Sequence, residues 1–210
     1  MKNFKTKWDN YWYYHKGATI LAIVFIFGIV LFFVSNDETL PSDGRVQFIT
    51  TAVASEKSID FDEAVSERLT DANNDGIRHL EVSETWIAQN PESDKNAASS
   101  IQQIVGSFSA GKTGLYIFDK INLDRFMAYD AFEPLENVLP SPLLDGRESF
   151  ERDGKIMAVR LSDSALLKSN QVLSDELYAA VIFSRPDGEL DEQTAAGIAN
   201  TEILLEELLK

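Results

Sequence analysis

Two short stretches of this chain carry residue types spaced for chemistry. Gly106-Ser-Phe-Ser-Ala-Gly111-Lys112-Thr113 fits G-x-x-x-x-G-K-[ST], the pattern that cradles nucleotide phosphates on backbone N–H groups. Asp71-Ala-Asn73-Asn-Asp75-Gly76 fits the first half of a calcium loop, with oxygen donors at alternate positions and glycine at the sharp bend. Each pattern needs a context to work. Phosphate binding requires a strand, the loop and then a helix whose N-terminus faces the ligand. Here an apolar helical stripe precedes the motif and the apolar run Leu115–Phe118 follows it, so the order is reversed. Ala110–Gly114 therefore reads as a helix C-cap and turn, and ATP is not expected. In the calcium pattern the twelfth position, which calls for a bidentate Glu, is Val82, between Glu81 and Glu84. The stretch reads as a helix-to-strand turn, with calcium on Asp71, Asn73 and Asp75 as the alternative.

Composition removes most remaining chemistries. The chain has no cysteine and only two histidines, His15 and His79, so thiolate nucleophiles and cysteine metal sites are excluded. No nucleophile is matched with a base, and an enzyme is not expected. Acidic residues outnumber basic ones 34 to 19, for a net charge of −15, which repels nucleic acid and anionic headgroups. Asp60, Asp62 and Glu63 suit the start of a helix. Glu202, Glu206 and Glu207 suit a solvated helix face.

The strongest single signal is an address. Ala18–Val34 is a run of seventeen residues without a charge, long enough to cross a bilayer as a helix. Lys2, Lys5, Lys7 and Lys16 precede it and acidic residues follow, which places residues 1–17 in the cytoplasm and the rest outside the cell. Trp8, Tyr11, Trp12, Tyr13 and Tyr14 suit the headgroup zone. The run exceeds the apolar core of a cleaved signal peptide and lacks an A-x-A-like exit, so it reads as a retained single-pass anchor. Residues 35–45 form a polar tether, and 46–210 one extracytoplasmic domain.

Within that domain, Val46–Val53, Arg78–Ala88, Leu115–Phe118, Ile156–Leu161 and Leu177–Ser184 read as strands. Helical spacing follows Asp60 (through Val65, Leu69 and Ala72), Asn96 and Asn122, and a terminal helix runs from about Asp191 to Lys210. Phe132–Gly154 reads as loop. Strands alternating with helices predict a three-layer α/β domain with a mostly parallel sheet. Ligands bind such sheets outside the strand C-termini, which selects Asp119, Lys120, Asp163 and Ser164 as ligand-binding candidates.

The helix, the turn, Leu115-Tyr-Ile-Phe-Asp119, the short helix and Phe132-Glu-Pro-Leu-Glu-Asn-Val-Leu139 together resemble bacterial extracellular solute-binding proteins. These are the periplasmic-binding-protein-like receptors of ABC importers. Asp153-Gly-Lys-Ile-Met-Ala-Val-Arg-Leu161 looks like that family's return strand, and the likeness covers roughly residues 45–162. It implies one α/β lobe, because the stretch between Leu161 and Leu177 is too short to hold a second. The resulting expectation is a membrane-anchored binding module for a small ligand or a membrane partner, such as an ABC transporter. The alternatives are an adaptor of a transporter or envelope complex that binds no ligand, and a calcium-stabilised interaction module. Intact-mass measurement of detergent-extracted protein is expected to give a chain beginning at Met1. A mature N-terminus near residue 36 would remove the anchor.

Overall fold

The computed structural model describes residues 11–17, 19, 25, 42–51, 65–162, 164–169, 177–183 and 191–210. The chain divides into two compact units, Met1–Leu40 and Pro41–Lys210. In the first, residues 11–17 are helical, with Tyr11, Trp12, Tyr13 and Tyr14 all exposed. Nearly all of the expected anchor Ala18–Val34 lies outside the described residues, as do the helix start at Asp60–Glu63 and Asp163. Among the described residues no helix is long and apolar enough to cross a membrane.

The second unit is an α/β domain. Its elements are β1 (Gly44–Thr50), β2 (Leu80–Trp86), α1 (Ala97–Ser109), β3 (Gly114–Asp119), α2 (Lys120–Phe126), α3 (Ser141–Leu144), β4 (Ser149–Arg152), β5 (Lys155–Arg160), α4 (Ala165–Ser169), β6 (Leu177–Ile182) and α5 (Glu192–Leu209). The strands make one sheet in the order β2-β1-β3-β6-β5-β4. Pairing is parallel at β2-β1 and β1-β3, as expected, and antiparallel at the other three junctions, so the sheet is mixed. A hairpin that the sequence reading placed in a loop starts the antiparallel half. Asp153 and Gly154 both adopt positive φ (54° and 73°), the two-residue turn that joins Arg152 to Lys155.

Period-2 alternation sorts the strands onto two faces. Val46, Phe48, Leu115, Ile117, Leu177, Ala179 and Val181 pack under α5 through Leu204, Leu205, Leu208 and Leu209. Tyr116, Phe118, Tyr178 and Ala180 pack under α1 and α2 through Ile104, Phe108, Leu123 and Phe126. The second face is aromatic. Phe108 meets Tyr116, Phe126 and Phe132 edge to face, with centroids 5.1–5.6 Å apart.

Among the described residues the helix expected to reach Ala72 stops short of it, with Val65 still helical. After Val65 come a 3-10 turn, Ser66–Arg68, and an extended Leu69. Side chains from distant elements take the backbone groups a helix would have used. The Thr70 N–H donates to Asn200 Oδ1 (2.7 Å), Asn200 Nδ2 donates to the Thr70 carbonyl (2.7 Å), and the Ala72 N–H donates to Asp43 Oδ1 (2.7 Å). Asn200 is fully buried, and replacement by Leu strands those partners. Asn200→Leu in the full-length chain is expected to cost on the order of 3 kcal/mol, read as a lower urea midpoint at unchanged slope. A loss below ~1 kcal/mol would show that the contact is dispensable.

Candidate functional site

β1 and β3 are neighbours, β1 followed in the chain by β2 on one side and β3 by β4, β5 and β6 on the other, which makes a switch point at their C-terminal ends. Asp119 stands there, but both its oxygens hold backbone. Oδ1 accepts from the Asn122 N–H (2.9 Å), which makes Asp119, not Asn122, the N-cap of α2, and Oδ2 accepts from the Thr51 N–H. The Trp86 indole N–H donates to the Thr51 carbonyl, leaving the ring half exposed at the rim. Lys120 pairs with Asp124 one turn on (2.7 Å) and lies over the Phe150 and Tyr178 rings at 5.4 and 5.8 Å.

Ser164 is buried, and its Oγ accepts from the Leu167 N–H (3.3 Å) at the start of α4. Leu177 of β6 pairs with Asp119 on one side and takes the Leu161 N–H on the other, so a whole strand separates Ser164's connection from Asp119. Beyond them, the Tyr178 hydroxyl donates to Glu148 (2.7 Å), and Arg160 pairs with the same carboxylate. These two contacts, Tyr178 first, hold the Glu148 carboxyl below its ordinary range. The strand-end candidates that the structure describes are thus engaged in local structure.

The phosphate-loop pattern closes a helix. The Gly111 N–H donates to the Phe108 carbonyl (2.9 Å) and the Lys112 N–H to the Ser107 carbonyl (3.4 Å). With Gly111 at φ +59°, this is a Schellman cap. A C-terminus offers carbonyls where phosphate needs N–H donors. The calcium-like loop is likewise self-contained. Asp71 accepts from the Asp75 and Gly76 N–H groups, Asn73 from Asp75, and Asp75 from Ile77, at 2.8–3.2 Å. Val82, at the twelfth position, lies within β2. Among the described residues no group of three or more acidic or histidine side chains is placed to hold a metal ion.

A site that the sequence reading missed lies beside α1. Strand alternation puts Glu81, Ser83 and Thr85 of β2 on one face with Arg45 and Gln47 of β1. Helical spacing puts Gln103, Gly106, Ser107 and Ala110 along one side of α1. These two rows line a groove of about 580 Å³, a size that suits a small molecule. Arg45 is bound to Glu81 Oε2 through Nε and NH2 (2.9 and 2.7 Å), and Gln47 donates to the Thr85 hydroxyl (3.2 Å). The groove exists because α1 packs on the aromatic side of β3 and leaves β2 uncovered. Below it the Tyr116 hydroxyl points at the Lys112 carbonyl (3.4 Å), and burial pushes the phenol's pKa up, so it stays protonated. The available signal was the polar alternation of β2, a strand expected to face a helix with apolar residues.

Gly111→Ala is expected to cost about 1 kcal/mol, because alanine is strained at this positive φ. Lys112→Ala is expected to leave equilibrium dialysis against ATP unchanged at background. Retained ATP that is lost in Lys112→Ala would reinstate the phosphate loop. Comparison with protein-family models, with curated proteins and with solved structures finds no match for this chain.

Proposed function

We propose that this chain is a membrane-tethered binding module, held by Ala18–Val34 with its α/β domain outside the cell, and that the groove beside α1 takes a small polar ligand. The observation that carries the reading is the groove's polar floor. Where helices cover the sheet it is apolar, as under Phe108 and Phe126, whereas the part that α1 leaves uncovered is the floor of a concave groove. Ser83, Thr85 and Gln47 instead present hydroxyl and amide groups to a concave space.

Gly106 supports the same reading. Glycine inside a helix costs about 1 kcal/mol relative to alanine, and such a cost is commonly offset by close packing. Here a Cβ at Gly106 would meet nothing within 4 Å, so packing does not require the glycine. The resemblance of residues 45–162 to extracellular solute-binding proteins agrees with ligand capture. The tether confines the module to partners at the membrane, of which an ABC transporter is the natural one.

The test is a thermal-shift panel of sugars, amino acids and short peptides on the full-length chain in detergent micelles. A ligand at a hundredfold excess over its Kd adds ~2.7 kcal/mol, which raises Tm by several degrees. Gly106→Leu is expected to abolish that shift while keeping or raising the unliganded Tm. A panel without any shift, or a shift that survives in Gly106→Leu, would overturn the reading.

A further inference from the structure

We propose that the ligand of this groove is a small hydroxylated carboxylate, with Lys112 as the cation that holds its acid group. The inference rests on the binding reading above and adds the ligand's chemical class. It begins with charge. Among the groove's charged residues, Arg45 and Glu81 neutralise one another through the two hydrogen bonds of the Arg45 guanidinium to Glu81 Oε2. Glu84 also lines the groove, although alternation along β2 roots its side chain on the face opposite Glu81, Ser83 and Thr85. Lys112 is left. It is exposed, lines the groove, and among the described residues its ammonium makes no ion pair and no hydrogen bond.

The Schellman cap fixes where Lys112 starts. Gly111 turns the chain at φ +59°, and the Lys112 N–H is tied back to Ser107, so the side chain leaves from the rim of the groove. The rest of the lining supplies neutral groups that both donate and accept. Ser83 and Gln103 make no hydrogen bond through their side chains among the described residues, while Thr85 keeps acceptor capacity beside Gln47. One ammonium and a row of hydroxyl and amide groups match a molecule with one carboxylate and several hydroxyls. The purely structural role for Lys112 is to complement the negative end of α1. That role affects stability and is indifferent to what the groove holds.

Matched probes separate these roles. D-Gluconate and D-sorbitol share a six-carbon hydroxylated chain and differ in the terminal acid. Calorimetric titration of the full-length chain in micelles is expected to show gluconate binding at least tenfold tighter than sorbitol, the effect of one charge-assisted hydrogen bond. Lys112→Met should erase that preference and Lys112→Arg should keep it, while Gly106→Leu should remove binding of both probes. Equal affinities for the two probes, or a preference that survives in Lys112→Met, would overturn the inference. If neutral members of the wider panel bind in a Gly106-dependent way while gluconate does not, the groove stands and the carboxylate falls. If nothing binds, both fall.

Discussion

The domain is organised by a buried polar knot at the N-terminal ends of its first two strands. Asp43, 2% exposed, uses one carboxylate oxygen for the Ala72 N–H and the other for the His79 N–H, each at 2.7 Å. Its own N–H donates to the His79 carbonyl (2.8 Å), and its carbonyl takes one hydrogen of Asn200 Nδ2 (2.8 Å). Asn200, on α5, gives and receives a further pair with Thr70. A buried carboxylate and a buried amide without such partners would each cost several kcal/mol; with them filled, four separate stretches of chain have one mutual arrangement. Hydrophobic burial is non-directional and cannot fix that arrangement by itself.

The knot reaches the groove through register. Holding Asp43 against His79 sets Gly44 opposite Leu80, and from there Arg45 falls opposite Glu81 and Gln47 opposite Ser83. A slip of one residue would send Glu81, Ser83 and Thr85 to the other face and bring Leu80 and Val82 into the groove. The polar floor is therefore a product of a contact at the far end of the strand. On the opposite wall, α1 is positioned by Phe108 in the aromatic cluster, whose edge-to-face contacts restrict its orientation more than an aliphatic contact would.

These dependencies explain which parts of the molecule were legible in the sequence. The apolar runs Leu115–Phe118 and Leu177–Ile182 are buried throughout, and their interpretation needs no knowledge of neighbours. The stripe of α1 with its Gly111 cap, and the helix opened by Asp191, are local patterns too. The short strand β4, Ser-Phe-Glu-Arg, has no apolar alternation and reads as loop, and its only local signal is the Asp153-Gly154 turn. The apolar spacing of Val65, Leu69 and Ala72 suggested a helix, but the residue that overrides it, Asn200, lies 130 positions from Thr70. No window on the sequence spans that distance. Asp119 was chosen for its place at a strand end, and the structure assigns it to capping and clasping. The groove needs the register of β1 on β2 and the placement of α1 together, so nothing local could reveal it.

The phosphate-loop pattern shows most plainly why residue types do not carry function without geometry. Gly106, Gly111, Lys112 and Thr113 have the spacing of a nucleotide site, yet the backbone around them runs the other way. In a true phosphate loop the glycines let N–H groups converge on the ligand and the helix dipole adds positive potential. Here Gly111 permits a left-handed turn that spends its own N–H and that of Lys112 on the helix's own carbonyls. The dipole end is negative, and a phosphate carrying two charges would meet carbonyl oxygens. Lys112 alone keeps the chemistry that the motif advertises. A single ammonium beside neutral hydroxyl and amide groups matches one unit of negative charge, which is the valence of a carboxylate and half or less of that of a nucleotide's phosphates.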